Sequence, residues 1–320
     1  MLDGPGIIVI RRAFADAAIV DRASDVFFAM IAEQRAAGIA AGDHFAKPGA
    51  NDRIWNALEK LALRAPGVFA AYYANGTIAL ASEAWLGPHY QITSQLNVVN
   101  PGGEAQSANR DYHMGFQSEA EIARFPAHAH RLSPVMTLQG AVAHVDMPVE
   151  SGPTLYLPYS QTFAPGYFAW RKSEFMDYFR LHHAQLPLAK GDAVFFNPAL
   201  FHAAGSNRTL DVRRMANLLQ VSSAYGRAME SVGRAGMAVA VYPVLLAARA
   251  AGTMTPAEIG NVIAACAEGY AFPTNLDRDP PLGGLAPASQ ADLMRKALAD
   301  GHSPADFHAS LKAHAEKRLT

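Results

Sequence analysis

The sequence predicts a mainly β core with helical additions at both ends, and three observations carry that reading. Between residues 89 and 225, short β-rich runs alternate with Gly, Pro and Asn turn signals. On either side of that region, apolar residues recur at helical spacing. Within it, a Gly191-Asp192 turn opens an apolar run that ends on His202.

Taken in chain order, Ile7 to Ile10 reads as a short strand. A helix follows, with Ile19, Ala23, Val26, Phe27, Met30 and Ile31 on one face, and a second helix around Ile54 to Leu63 ends before Pro66. The loop between them holds His44 and Lys47, which belong either to a pocket mouth or to an ordinary surface loop. Residues 1–88 thus form an N-terminal strand and helical flank. Strands are expected at Tyr90 to Val99, Val135 to Val145, Thr154 to Leu157, Ala193 to Phe196 and Met215 to Ser222. Antiparallel strands of this number close most naturally as a double-stranded β-helix, a cupin-like jelly roll whose open mouth suits a small-molecule site. Residues 163–183 interrupt the strands as an insertion with helical character, of a kind that commonly covers a site. Residues 226–320 return to helix, with starts marked by Thr255-Pro256-Ala257-Glu258 and Ser303-Pro304-Ala305-Asp306. Between those starts, 272–281 is too polar and Pro-rich for regular structure, and either folds over the barrel mouth or connects helices. The terminal helices pack on the barrel or on another subunit, so a homo-oligomer is open.

Composition narrows the function classes. With 50% hydrophobic residues in 320, the chain can bury one substantial core. A formal net charge of -1 points to neither nucleic acid nor an anionic membrane surface. Cys266 is the only cysteine, which excludes an intramolecular disulfide and fits a reducing compartment. Neither a leader-like start nor an apolar run of about 20 residues is evident. A cytoplasmic protein acting on a small molecule is expected.

The run from Gly191 to His202, with Arg213 eleven residues further on, has the parts of an iron site beside a bound dicarboxylate. Iron(II) oxygenases hold the metal with two His and one carboxylate and leave positions open for a cosubstrate and oxygen. An Arg forks onto the cosubstrate's far carboxylate. Upstream, Gln106-Ser107-Ala108-Asn109-Arg110-Asp111-Tyr112-His113 is the matching segment, and Ser151-Gly152-Pro153-Thr154-Leu155-Tyr156-Leu157-Pro158-Tyr159-Ser160 lies between. In this order the motifs resemble the phytanoyl-CoA dioxygenase family across roughly Ile7 to Ser223.

The resemblance implies iron(II) and 2-oxoglutarate as cofactors and hydroxylation of a small organic substrate. It puts Asp111 on the metal carboxylate, His202 on the distal metal His and Arg213 on the 2-oxoglutarate Arg. Asn109 stands where the family has its first metal His, and an amide oxygen is a poorer ligand for iron(II) than imidazole. Side chains alternate along an extended segment, so residues 109, 111 and 113 share a face and His113 is a substitute ligand. A rival triad joins His144 and Asp146 to His202. A rival function is a non-catalytic jelly roll that binds a small molecule and has lost iron through Asn109. Gln106 is a candidate cavity group; His128, His130, His182 and His183 read as non-ligands; Asn217 and Gln220 are unassigned.

Overall fold

The computed structural model describes residues 1–320 except 39–48, 112 and 114–116. His44 and Lys47 therefore lie outside the described residues. The chain runs β1 (Ile7–Ile10), α1 (Ala17–Ala36), β2 (Asn51–Ile54), α2 (Ala57–Arg64), α3 (Pro66–Tyr73), α4 (Gly76–Leu86) and β3 (Gln91–Val99). It continues with α5 (Glu119–Ile122), α6 (Ala127–Val135), β4 (Thr137–Ala143), β5 (Leu155–Leu157), α7 (Gly166–Ala169), α8 (Ser173–His182), β6 (Ala184–Gln185), β7 (Ala193–Phe196), β8 (Phe201–Ala203) and β9 (Arg214–Ser222). The last four elements are helices, α9 (Arg234–Ala251), α10 (Pro256–Cys266), α11 (Gln290–Asp300) and α12 (Pro304–Lys317).

Among the described residues, the strands form a six-stranded sheet in the order β1-β7-β4-β9-β3-β2 and a three-stranded sheet in the order β6-β5-β8. Every pairing is antiparallel. This is the two-sheet jelly roll that the strand pattern predicts. In the N-terminal flank three elements depart from expectation. Asn51–Ile54 is an edge strand on β3, so the helix expected around Ile54 to Leu63 starts only at Ala57, and α3 and α4 fill a stretch in which no element is expected. Asn75 starts α4 by accepting from Thr77 N–H and Ile78 N–H at 2.9 and 3.0 Å.

Alternation along the strands sorts the two faces of the large sheet. Leu96, Val98, Leu138, Val142, Phe195, Met215, Leu219 and Val221 point to the helical side, where they share one core with residues of α1 to α4 and of α9 to α12. The apolar α9 is central there, its Tyr242 ring stacked on Phe307 at 4.1 Å. Asn97, Gln139, Ala141, Val194, Phe196, Ala216 and Gln220 face the other way, into a cavity under the small sheet. The segment 272–281 is tied to residues 318 and 319 instead, with Arg318 donating to Pro273 O and Asn275 to Leu319 O.

Two turns fix the strands around that cavity. The Asp192 carboxylate accepts from Arg12 N–H, Ala189 N–H and Arg11 at 2.8, 2.9 and 2.6 Å, which joins the end of β1 to the start of β7. Burial works to raise this carboxyl, but those donors outweigh it and hold it below its usual range. Gly152 turns the chain into β5 at φ +74, and a Cβ there would sit 2.4 Å from Ser206 O.

The helix-facing side of the large sheet contains one polar network. Ser24 Oγ–H donates to Val20 O at 2.8 Å, so Ser24 Oγ accepts from His144 Nδ1–H at 2.9 Å. His144 Nε2 then accepts from the Tyr72 hydroxyl at 2.9 Å, and that oxygen accepts from Asn217 Nδ2 at 3.3 Å. The ring is 2% exposed, and burial pushes its pKa down to about 3. Because the folded value lies below the unfolded one of about 6.5, the unfolded chain takes up a proton first as pH falls. This contribution is complete above about pH 6.5 and is lost between there and pH 3. His144→Gln is expected to flatten the dependence of unfolding free energy on pH between 6 and 4 by up to about 1.4 kcal/mol per pH unit. Denaturant titrations at a series of pH values read this slope whatever the variant's absolute stability. Parallel slopes for variant and parent would refute the assignment.

Candidate metal and 2-oxoglutarate site

An isolated antiparallel bridge builds the site. Asn109 N–H donates to His202 O at 2.8 Å and His202 N–H donates to Asn109 O at 3.0 Å, while Gln106 N–H and Asp111 N–H donate to Ala204 O and Pro198 O. The segment 106–111 is thereby zipped along β8. His202 Nδ1–H donates to Leu200 O at 2.8 Å, so in the neutral ring the lone pair sits on Nε2. That nitrogen faces Asp111 Oδ2 at 3.5 Å, and the Phe196 ring meets the imidazole edge-on at 4.9 Å.

Two carboxamides hold the other side of Asp111. Asn109 Nδ2 donates to Oδ1 at 2.7 Å and Gln139 Nε2 donates to Oδ2 at 2.6 Å. A carboxylate only accepts, which fixes the orientation of both amides in this arrangement. Burial works to raise the Asp111 carboxyl; His202 and the two amides outweigh it and keep it below its usual range.

Beside this cluster lies a cavity of about 1000 Å³. Asn109, Asp111, Gln139 and His202 line it together with Met147, Tyr156, Leu188, Val194, Phe196, Leu218 and Arg214. Arg214 is 7% exposed and has no hydrogen-bond or ion-pair partner among the described residues; burial lowers its pKa to about 10. An unpaired buried guanidinium is costly, and in this wall an anionic ligand in the cavity would offset that cost.

Three sequence expectations need correction. Arg213 is on the outer side of the structure: it lies over the Phe28 ring at 4.9 Å and reaches Asn100 Oδ1 and Asp52 at 3.3 and 3.5 Å. Its neighbour Arg214 takes the inward position, because β9 alternates in the opposite phase to the one expected. His113 does not join the cluster; its Nδ1 pairs with Ser133 Oγ at 2.9 Å and its Nε2 with Arg227 O at 3.1 Å. The rival triad also fails, since His144 points into the helical layer and Asp146 Oδ1 accepts from Lys190 N–H at 2.8 Å. Gln106 does line the cavity. His130 stacks on Tyr167 at 3.8 Å with Nε2 on Ile122 O, and His183 Nδ1 bonds Phe179 O.

Sequence reasoning missed Gln139, set Arg214 aside in favour of its neighbour Arg213, and missed Arg53, Trp55, Trp170 and Arg171, all of them in the cavity wall. For the first two a signal existed, namely polar residues inside otherwise apolar strands. The Trp and Arg residues lie outside the strands recognised from sequence.

The donor set is that of an iron site one imidazole short. Asp111 and His202 supply a carboxylate and an imidazole whose spacing suits two ligands at about 2.1 Å from one ion. Asn109 occupies the third place, and no group of three His, Cys, Asp or Glu able to hold a metal occurs among the described residues. The fit is thus to a weak site rather than to none.

Two antiparallel sheets around a cavity, with these donors at one end and a buried Arg in the wall, define a jelly roll of the iron and 2-oxoglutarate class. Residues 1–215 match the family described as phytanoyl-CoA dioxygenase, PhyH, and the chain belongs to that family. Iron(II) and 2-oxoglutarate are the cofactors of the family. No curated protein matches the sequence. Among solved structures, the chain is similar to the non-heme alpha ketoglutarate dependent epimerase SnoN from nogalamycin biosynthesis, with 18% identity over 69% of this chain and 79% of that one and a TM-score of 0.46. SnoN in complex with Fe3+, alpha ketoglutarate and nogalamycin RO matches with 16% identity, coverage of 69% and 80%, and a TM-score of 0.44. HygX from Streptomyces hygroscopicus, with nickel and 2-oxoglutarate bound, matches with 13% identity, coverage of 72% and 87%, and a TM-score of 0.46.

Proposed function

We propose that this protein is a 2-oxoglutarate-dependent dioxygenase that hydroxylates a small organic molecule. Asp111 and His202 hold iron(II) beside the Asn109 carboxamide, and Arg214 anchors the distal carboxylate of 2-oxoglutarate. The observation that carries this reading is Arg214, a buried cation with no anion paired to it among the described residues, in the same cavity wall as Asp111 and His202.

When bound, iron(II) would supply activation of dioxygen, which is the oxidant: one of its oxygen atoms would go into succinate as 2-oxoglutarate loses carbon dioxide, and the other into an unactivated carbon of the substrate. The residues of the chain supply placement. The Leu200 carbonyl holds His202 in the tautomer that presents Nε2, and Gln139 keeps Asp111 turned toward it. Met147, Leu188, Val194 and Phe196 make part of the cavity lining apolar, which limits water around the reacting carbon.

A second reading is a binding protein without iron, and a specific observation favours it: both Asp111 oxygens already accept amide hydrogen bonds. Anaerobic titration with iron(II), with and without 2-oxoglutarate, separates the two. The oxygenase reading expects a visible charge-transfer band that requires both additions, with Kd in the micromolar range or weaker because one imidazole is missing. Absence of the band at millimolar iron(II) would favour the iron-free reading.

A further inference from the structure

Two glutamines stand side by side on the cavity face of the large sheet. Gln139 of β4 and Gln220 of β9 are direct partners in the ladder, and both line the cavity. Side chains in that relation have Cβ atoms about 5 Å apart, near enough for one amide to bond the other. Neither does so. Gln139 gives its Nε2–H to Asp111 at 2.6 Å while its Oε1 meets no donor, and Gln220 Oε1 is equally buried and without a donor among the described residues. A third amide oxygen, Asn97 Oδ1 of β3, is in the same condition in the same lining. Asn97 pairs with Ala216, four residues along β9 from Gln220, which puts it about 13 Å down the sheet. Gln95, which lies between them opposite Leu218, is engaged by Glu230.

A buried acceptor without a donor lowers stability, and three of them on one cavity face are satisfied together by a ligand that donates. Trp170 Nε1, in the same lining, is the converse, a buried donor without an acceptor among the described residues. An ammonium group only donates and a carboxylate only accepts, whereas a hydroxyl does both. The mixture of open acceptors and an open donor therefore suits hydroxyls. The bond to Asp111 fixes Gln139 with its oxygen as the open group, and it sets the Gln139–Gln220 pair at the metal end of the cavity. At about 1000 Å³ the cavity has room for a molecule that reaches from this pair to Asn97.

Resting on the oxygenase reading, we propose that the substrate is a neutral polyhydroxylated molecule: two neighbouring hydroxyls donate to Gln139 Oε1 and Gln220 Oε1 beside the Asp111–His202 pair, and a further hydroxyl reaches Asn97 Oδ1. The carbon presented for oxidation then carries one of the paired hydroxyls or adjoins one that does. A molecule of the same shape without those donors would leave the amide oxygens desolvated and unpaired, and a site of this kind rejects it on that ground.

The probes are trans-cyclohexane-1,2-diol and trans-1,2-difluorocyclohexane, which are close in shape and of which only the diol donates. Ligand-observed NMR titration of the full-length protein is expected to show the diol bound at least about tenfold tighter. Gln220→Met removes one acceptor at nearly constant volume. It should abolish most of that preference without lowering the thermal midpoint of the ligand-free protein, since no hydrogen bond within the protein is lost. Absence of diol binding, equal binding of the two probes, or an unaltered preference in Gln220→Met overturns the proposal. A midpoint lowered by about 2 °C or more in Gln220→Met also overturns it, because the Gln220 amide would then have its partner inside the protein. Tighter binding of trans-2-aminocyclohexanol than of the diol overturns the neutral hydroxyl in favour of an ammonium group. None of these readouts requires iron, so an iron(II) titration without a visible band overturns the oxygenase reading and leaves the hydroxyl preference measurable by itself.

Discussion

Arg214→Leu is expected to weaken 2-oxoglutarate binding by roughly a hundred-fold, the scale of about 3 kcal/mol for removing one partner of a buried charged contact. The same substitution is expected to raise the thermal midpoint of the ligand-free protein, because a buried cation with no anion partner among the described residues is replaced by an apolar side chain among Tyr156, Ala216 and Leu218. Opposite signs for affinity and stability distinguish an anion anchor from a structural arginine. Arg213→Ala is the control: its partners are Phe28, Asn100 and Asp52 on the outer side, so cosubstrate affinity should not change. Calorimetry with 2-oxoglutarate and thermal unfolding of the three proteins provide the test. If Arg213→Ala, rather than Arg214→Leu, removes cosubstrate binding, the assignment of the inward arginine is wrong.

Asn109→His should have the larger effect on metal. It would put imidazole in place of an amide that now donates to Asp111 Oδ1, and so both add a nitrogen ligand and release a carboxylate oxygen. Even partners outside the ligand shell of metal sites are worth about 10–100-fold in affinity, so a gain of more than about a hundred-fold for iron(II) is expected. Turnover measured as succinate release should rise with it. His113→Ala, in contrast, should leave iron affinity unaltered, since both ring nitrogens are engaged by Ser133 and Arg227. A folded Asn109→His protein with no gain in iron affinity would count against an oxygenase scaffold and for the binding reading.

The legible parts of the site were those that depend on local chemistry. Asp111 and His202 stand in short motifs, and the Gly191-Asp192 turn has a local cause: a carboxylate that can cap three donors where β1 meets β7. The Thr255 and Ser303 helix starts are equally local, each side chain accepting from the N–H three residues on. Gln139 was harder to see, because its role arises from a direct hydrogen bond to a residue 28 positions earlier, which only the fold brings beside it.

What the sequence by itself determined was the order of elements, the two-sheet architecture and the meeting of Asp111 with His202, since strand period, turn residues and caps act over a few positions. Tertiary structure alone decided which of two adjacent arginines enters the cavity. A period of two gives alternation but not its phase, and here the phase is set by the pairing of β9 with β3 and β4, Val99 opposite Arg214 and Ala143 opposite Ala216. It also decided that His113 turns to Ser133 and that His144 serves the helical layer. Each imidazole settles where its two nitrogens both find partners, and those partners come from distant parts of the chain.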